Sequence, residues 1–248
     1  MSEEFINKFK ECVETYYQQR SEDKHSRYRS WEYCNQFFNE KHTELMEKRK
    51  NGCDLCEKDY DHLALHLSFY LASWGMYRPT SPLLYTDYKI HIPVVKELMR
   101  EDYDNLWNIT YKELDLEKNK IVNLTDKIMN ELYGERTDDV EKFYDKKMRI
   151  TETLATKILL GTLACVPAYD SNFIKAIRKY KNGIADPTKP KSLKALAEFY
   201  KDNEEELNDL IKKFEKDGVV YPQMKLLDMG FYQYGRELKE EKNKHSSD

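Results

Sequence analysis

Two cysteines and two histidines are spaced as C-x2-C-x5-H-x3-H, at Cys53, Cys56, His62 and His66. Two thiolates and two imidazoles suit a tetrahedral zinc ion, and histidines four residues apart lie on one face of a helix. The five-residue gap is shorter than in familiar zinc fingers, and a chain of 248 residues can bury a core without metal. The alternative is a turn with two free thiols and unrelated histidines. We assign no metal and no cofactor, and zinc binding stays an open alternative.

His66 also lies in an uncharged block that runs from Leu63 to Tyr77 in an otherwise highly charged chain. A buried imidazole needs a hydrogen-bond partner or a cavity. One interpretation is a structural histidine satisfied in the core. In the functional interpretation, His66 and Arg78, which follows the block, line a pocket as catalytic residues. No nucleophile stands at a recognisable spacing from a base, so the sequence leaves open whether the protein is an enzyme.

Residues 145 to 201 form a basic segment with twelve Lys or Arg against five Asp or Glu. Within it, "KILLGTLACVPAYDSNFIKAIRKYK" predicts an apolar helix that ends near Gly161, a turn with Pro167, and a helix capped by Ser171. Helix N-termini beside basic side chains bind phosphate well. The segment therefore predicts nucleic-acid contacts for Lys175, Arg178 and Lys179. The alternative is a plain helical corner with a solvated lysine face.

The same fragment resembles the helix-hairpin-helix of DNA glycosylases, in which a Leu-Pro-Gly-Val-Gly turn grips the DNA backbone and a nearby Val-Asp turn supplies an essential aspartate. The resemblance implies that Leu163 and Val166 are apolar turn residues and that Asp170 is the catalytic acid. It covers only residues 157 to 181. Cys165 and Pro167 stand where that family has glycines, and proline lacks an amide that could donate to a phosphate.

Three aromatic segments, RYRSWEYCNQFF, LALHLSFYLASWGMYRPTSPLLYTDYKIHIPVV and LLGTLACVPAYDSNF, resemble a family of uncharacterised bacterial proteins. The resemblance spans most of the first 175 residues; it implies a shared helical fold and adds no chemistry. Within it, the functional interpretation brings seven residues to a common pocket: His66, Trp74, Arg78, Tyr88, His91, Tyr169 and Asp170.

The elements that must position these residues are predicted to be helices. Only 8 Gly and 7 Pro are present, and apolar residues recur three and four apart in most segments. We predict an all-α fold, a single bundle of helices over residues 1 to 238 with a disordered tail at 239 to 248. The uncharged block is apolar around most of its circumference, so residues 60 to 77 are predicted to form the buried central helix.

The helix boundaries follow from the same periodicity and from turn residues. Predicted helices cover residues 3 to 19, 28 to 48, 59 to 77, 115 to 133, 138 to 160, 171 to 180, 193 to 214 and 223 to 238, with a further helix near Pro93. Gly134 is predicted to close the fourth of these, and residues 181 to 192 to form a loop.

The overall charge of the chain limits the kinds of binding that composition alone can support. With 41 basic and 45 acidic residues the net charge is −4, so the overall charge gives no argument for binding nucleic acid or a membrane, and only local patches could do so. The N-terminus lacks a secretory signal, and the apolar block is too short to span a membrane, so we expect a cytoplasmic protein with reduced cysteines and no membrane contact. The leading hypothesis is a protein directed at nucleic acid or a nucleotide. The alternative is a non-enzymatic module that binds a protein partner through a Tyr-rich surface.

Overall fold

The chain is helical throughout the part that the structure describes. A computed structural model describes residues 3–145, 147–180, 186–216 and 218–244. In these residues there are eleven α-helices and three 3-10 helices and no strand, which confirms the predicted all-α class. No helix in these ranges is both long and apolar enough to cross a membrane. The α-helices are α1 Glu3–Ser21, α2 Arg29–Lys50, α3 Glu57–Ser73, α4 Ile92–Leu98, α5 Tyr111–Asn130, α6 Gly134–Tyr144, α7 Glu152–Gly161, α8 Ser171–Tyr180, α9 Pro190–Asp202, α10 Glu204–Lys216 and α11 Gln223–Lys244; the 3-10 helices are Pro82–Tyr85, Tyr88–His91 and Glu101–Leu106.

The helices share one hydrophobic core. Its buried apolar residues form a single cluster that runs from Ile6 in α1 to Tyr232 in α11. Helix α11 packs against α1 and α8, α5 packs against α9, and α3 packs against α2, α4 and α7. Helix α11 continues to Lys244, six residues beyond its predicted end at residue 238, and residues 245 to 248 lie outside the described residues.

Helix α3, from the uncharged block, is only partly enclosed. It buries one face, which includes Leu63, Leu67 and Tyr70, but Leu65 is 36% and Phe69 is 69% exposed. The block predicted to form the buried central helix therefore buries one face in the bundle and presents another face to solvent. Helix α7 is the more enclosed element, because every residue from Leu154 to Gly161 is buried. Apolar composition indicates that a helix has a buried face, but the neighbouring helices decide how much of its circumference is covered.

Two of the long predicted helices are broken in the structure. The segment predicted at 138 to 160 contains α6 and α7, because Asp145 adopts a left-handed φ of 47° that ends α6, and the Thr151 hydroxyl caps α7. Gly134 begins α6 and does not close α5. The segment predicted at 193 to 214 contains α9 and α10, which are separated at Asn203. Of the predicted loop at 181 to 192, residues 181 to 185 lie outside the described residues, residues 186 to 189 precede α9, and α9 already begins at Pro190.

Candidate functional site

Four charged side chains meet inside the bundle, and we call them the charged centre: Lys157 of α7, Asp170 before α8, and Lys225 and Asp228 of α11. The Lys157 Nζ lies 3.4 Å from Asp170 Oδ2, and the Lys225 Nζ lies 2.8 Å from Asp228 Oδ2. Lys157, Lys225 and Asp228 are buried, and Asp170 is largely covered. Burying a charge is costly unless it is paired, so each lysine depends on its carboxylate.

The Trp74 indole connects the two ion pairs. Lys157 Nζ lies 4.8 Å and Lys225 Nζ 5.9 Å from its ring centroid. The Arg27 guanidinium carbon lies 5.2 Å from the same ring, and the indole Nε1 donates to the Ser30 hydroxyl at 3.1 Å. A cation near an aromatic face is attracted by the ring quadrupole, most strongly where water is excluded. Trp74 therefore helps to hold three cations that come from three different segments.

The pKa of Lys225 is shifted by its surroundings in the charged centre. Burial lowers the pKa of Lys225, and Asp228 opposes this effect by stabilising the charged form. The Tyr16 hydroxyl accepts a hydrogen bond from its Nζ at 2.9 Å, and burial raises the pKa of Tyr16 well above the ordinary value. A lysine whose neutral form is favoured by burial can accept a proton or act as a nucleophile.

Asp170 joins the charged centre to helix α8. Its Oδ1 accepts the backbone amides of Asn172 and Phe173, each at 3.0 Å, while Oδ2 faces Lys157. Asp170, not the predicted Ser171, is therefore the N-cap of α8. Capping and ion pairing together are a sufficient structural reason for this carboxylate, and they also aim it at a lysine. The positions predicted as catalytic thus include one residue of the centre.

The turn between α7 and α8 is buried. Leu163 and Val166 are fully buried, and so is every residue from 162 to 169. Its polar groups bond inside the protein: the Ala168 amide donates to Asp228 at 3.1 Å, and the Leu163 carbonyl accepts from the Asn108 amide at 2.7 Å. The turn does not offer backbone amides to solvent, which departs from the phosphate grip that the helix-hairpin-helix resemblance implies.

The predicted phosphate-binding side chains lie on the outer side of α8. Arg178 and Lys179 are exposed and Lys175 is half-buried, whereas Phe173, Ala176 and Ile177 are buried. No ion pair joins any of the three cations to a carboxylate within the described ranges. The three positions begin five residues after Asp170, which places them about 8 to 14 Å from it along the helix axis.

His66 and Arg78 take no part in the charged centre. The His66 ring stacks on Phe37 with centroids 3.8 Å apart and planes 8° apart, and burial, followed by His62, lowers the pKa of His66. Arg78 is exposed. Among the described residues, no hydrogen bond, ion pair or ring contact joins either one to Asp170, so the predicted grouping of these catalytic residues is not supported by contacts.

The cysteine and histidine pattern does not assemble. Cys53 and Cys56 are exposed free thiols, and the His66 ring stacks on Phe37. No cluster of three or more His, Cys, Asp or Glu that could hold a metal is found within the described ranges. Cys56 instead forms part of the start of α3, where its backbone amide donates to Asp59 at 3.1 Å.

His91 forms a separate buried chain of hydrogen bonds. Its Nε2 lies 3.1 Å from the Tyr77 hydroxyl, its Nδ1 lies 2.7 Å from the Tyr133 hydroxyl, and Ser68 contacts Tyr77 at 2.5 Å. Burial lowers the pKa of His91 to about 3, so it is neutral at physiological pH. His91 is a satisfied core histidine.

Sequence reasoning missed Lys157, Lys225 and Asp228. Each interrupts an apolar run, as in KILLG and MKLLDM, and Lys225 and Asp228 are spaced to meet on one helical face. An isolated charge inside an apolar stretch indicates a buried ion pair. That signal could have identified these residues, although not the partner of Lys157, which comes from another segment.

Comparison with known proteins adds no family to this description. No protein-family model, no curated protein and no solved structure matches the chain. The resemblances to uncharacterised bacterial proteins and to helix-hairpin-helix glycosylases therefore stay predictions from sequence. The chemistry of the charged centre and of α8 is the basis for a functional assignment.

Proposed function

We propose that this protein acts on nucleic acid or a nucleotide, with the charged centre as its reaction site and α8 as its phosphate-binding element. One observation carries the proposal. Asp170 pairs with Lys157 of the centre and caps the helix that presents Lys175, Arg178 and Lys179. A strand held by these cations would run toward Asp170, the member of the charged centre that is not fully buried.

The spacing on α8 suits a phosphate backbone. Phosphates of one strand follow each other every few ångströms, and three cations spread over about 6 Å of helix can hold one or two of them. Because these side chains have no carboxylate partner within the described residues, they can neutralise phosphates without first breaking an ion pair.

The charged centre supplies the reactive groups. Asp170 can take up a proton and Lys157 can stabilise developing negative charge, while the buried Lys225 is the candidate nucleophile or base. The proposal places the protein in the cytoplasm, which is consistent with five cysteines that are all free thiols.

Fluorescence anisotropy with a labelled oligonucleotide, single-stranded or duplex, tests the phosphate contacts. Affinity should fall steeply with salt, and changing Lys175, Arg178 and Lys179 together to Gln should lower the slope of log K against log salt by about 2 to 3. The matched control changes Lys24, Lys58 and Lys239 to Gln, since these exposed lysines lie elsewhere and remove the same charge. Equal losses in both triple variants, or binding that ignores salt, would refute the proposal.

Asp170→Asn tests the reaction site separately. Asparagine also caps helices well, so α8 and the oligonucleotide affinity should be kept, although Lys157 loses its counterion and the free energy of unfolding should fall. Any conversion of the bound oligonucleotide, followed by mass spectrometry of the products, should be lost. Unchanged conversion would remove Asp170 from the reaction.

A second candidate is a module that binds a protein partner through exposed aromatic residues. Tyr33 on α2 is 57% exposed and Phe69 on α3 is 69% exposed, and these two helices are packed together. Aromatic side chains are favoured anchors at interfaces. If this candidate is correct, a protein partner that the natural chain pulls down should no longer bind when both residues are changed to Ser. The affinity for the oligonucleotide should stay the same.

A further inference from the structure

A cleft of about 540 Å³ opens between the first half of α2 and the connection from α10 to α11. Arg29, Tyr33 and Gln36 form one wall, and Val219 and Val220 lie on the other. This volume is in the range of small-molecule sites in proteins. The cleft contains no residue of the charged centre and none of α8.

One positive charge in this cleft has no counterion among the residues that the structure describes. Arg20 is neutralised by Glu32, with Nε–Oε1 at 2.7 Å and Nη2–Oε2 at 2.8 Å, and Glu32 also accepts from Tyr221 at 2.6 Å. Arg29 donates from Nε to the Arg20 carbonyl at 3.4 Å and makes no ion pair with a described carboxylate. Its planar fork of donors matches a phosphate or carboxylate group.

An aromatic ring with no stacking partner in the described parts of the chain follows one turn later. Tyr33 is 57% exposed and makes no ring contact with a described residue, and residues four apart lie on one helix face, so it is next to Arg29. Gln36 donates from Nε2 to Glu40 at 2.8 Å, which orients its amide. From Arg29 to Gln36 the wall is about 10 Å long and offers a cation, a ring and an amide in that order.

We infer that this cleft binds a nucleoside monophosphate. The phosphate lies against Arg29, the base stacks on Tyr33, and the edge of the base contacts Gln36. Val219 and Val220 cover the other side of the base, because a purine or pyrimidine ring has two apolar faces. This site goes beyond the proposed function, since it is separate from the elements assigned to that function.

Isothermal titration calorimetry with adenosine monophosphate, adenosine and inorganic phosphate tests the inference. The monophosphate should bind at one site, and adenosine or phosphate alone should bind at least about tenfold more weakly. Arg29→Gln should weaken monophosphate binding by about tenfold or more, and Tyr33→Ala by about fivefold or more, whereas Tyr33→Phe should keep it. Arg78→Gln and Tyr144→Ala change exposed residues of the same types outside the cleft and should have no effect.

Three results would overturn the inference: no binding of adenosine monophosphate, inorganic phosphate binding as tightly as the monophosphate, or full affinity in Tyr33→Ala. Arg29 and Tyr33 lie outside the buried core, so these variants should fold, as circular dichroism can verify. The triple variant on α8 should bind adenosine monophosphate normally. Failure of this inference is therefore distinguishable from failure of the oligonucleotide proposal.

Discussion

Lys225 brings a positive charge into the core on α11, where its Nζ donates to Asp228 and to the Tyr16 hydroxyl and lies near the Trp31 and Trp74 rings. Buried ion pairs contribute little net stability, because the desolvation penalty offsets the Coulomb attraction. Removing one partner is different, since it leaves the other charge buried and alone. A gain in net stability therefore does not by itself explain why these two charges are buried together.

Asp228→Asn should lower the free energy of unfolding by about 3 to 5 kcal/mol, because Lys225 loses its counterion. The double variant with Lys225→Met should recover part of this loss. Urea denaturation measures both. Asp209→Asn is the control, because its pair with Lys212 is exposed, and it should cost no more than about 1 kcal/mol. Equal losses at positions 228 and 209 would contradict this account of the charged centre.

His91 should make stability depend on pH. Its pKa is about 3 in the folded protein, whereas in the unfolded chain it is near the ordinary value of about 6.5, so below that pH only the unfolded state takes up the proton. Stability present above about pH 6.5 is therefore lost as the pH falls toward 3. Between pH 7 and pH 5, protonation of this single group in the unfolded state should lower the free energy of unfolding by about 2 kcal/mol.

His91→Gln isolates this contribution, because glutamine keeps a donor and an acceptor but does not titrate. Between pH 7 and pH 5, the free energy of unfolding of the variant should fall by about 2 kcal/mol less than that of the natural protein. Urea denaturation at the two pH values measures this difference. Identical pH profiles for the two proteins would show that His91 accepts a proton in the folded state.

At the scale of elements, α8 and α11 approach closely where Gly235 faces the backbone of Asn172. The Asn172 carbonyl oxygen occupies the space that a Cβ at position 235 would need. A backbone atom cannot move away by a change of rotamer, as the end of a flexible side chain can. The contact that positions α8, and with it Asp170, therefore depends on this glycine.

Gly235→Ala should separate α8 from α11 and lower the free energy of unfolding by about 2 kcal/mol or more. Gly134→Ala is the matched control, because nothing lies within 4 Å of its Cβ position, and it should be neutral or stabilise the protein by up to about 1 kcal/mol. Chemical denaturation compares the two variants. A stable Gly235→Ala protein would mean that the helices do not pack as described.

At the scale of the molecule, the single core joins distant parts of the chain. Phe9 of α1 packs against Phe199 of α9 and Phe231 of α11, with ring centroids 5.1 Å and 5.0 Å apart. Leu124 of α5 belongs to the same cluster. A substitution that disrupts packing in one helix should therefore destabilise the whole bundle.

Phe9→Ala and Leu124→Ala should each cost about 2 to 5 kcal/mol and should shift the same unfolding transition. Far-UV circular dichroism and tryptophan fluorescence should give coincident curves for both variants. Two separate transitions would show that the helices near the N-terminus and α5 belong to independent units.

The sequence by itself determined the helical class and most helix positions, because apolar periodicity and turn residues act locally. It also placed exposed cations at Arg178 and Lys179 on the outer side of α8. Only the tertiary structure decided that α7 is more enclosed than α3, that Lys157 meets Asp170, and that Trp74 lies beside three cations. These facts depend on which segments pack together, and the energy of a buried charge is set by partners that are distant in the chain.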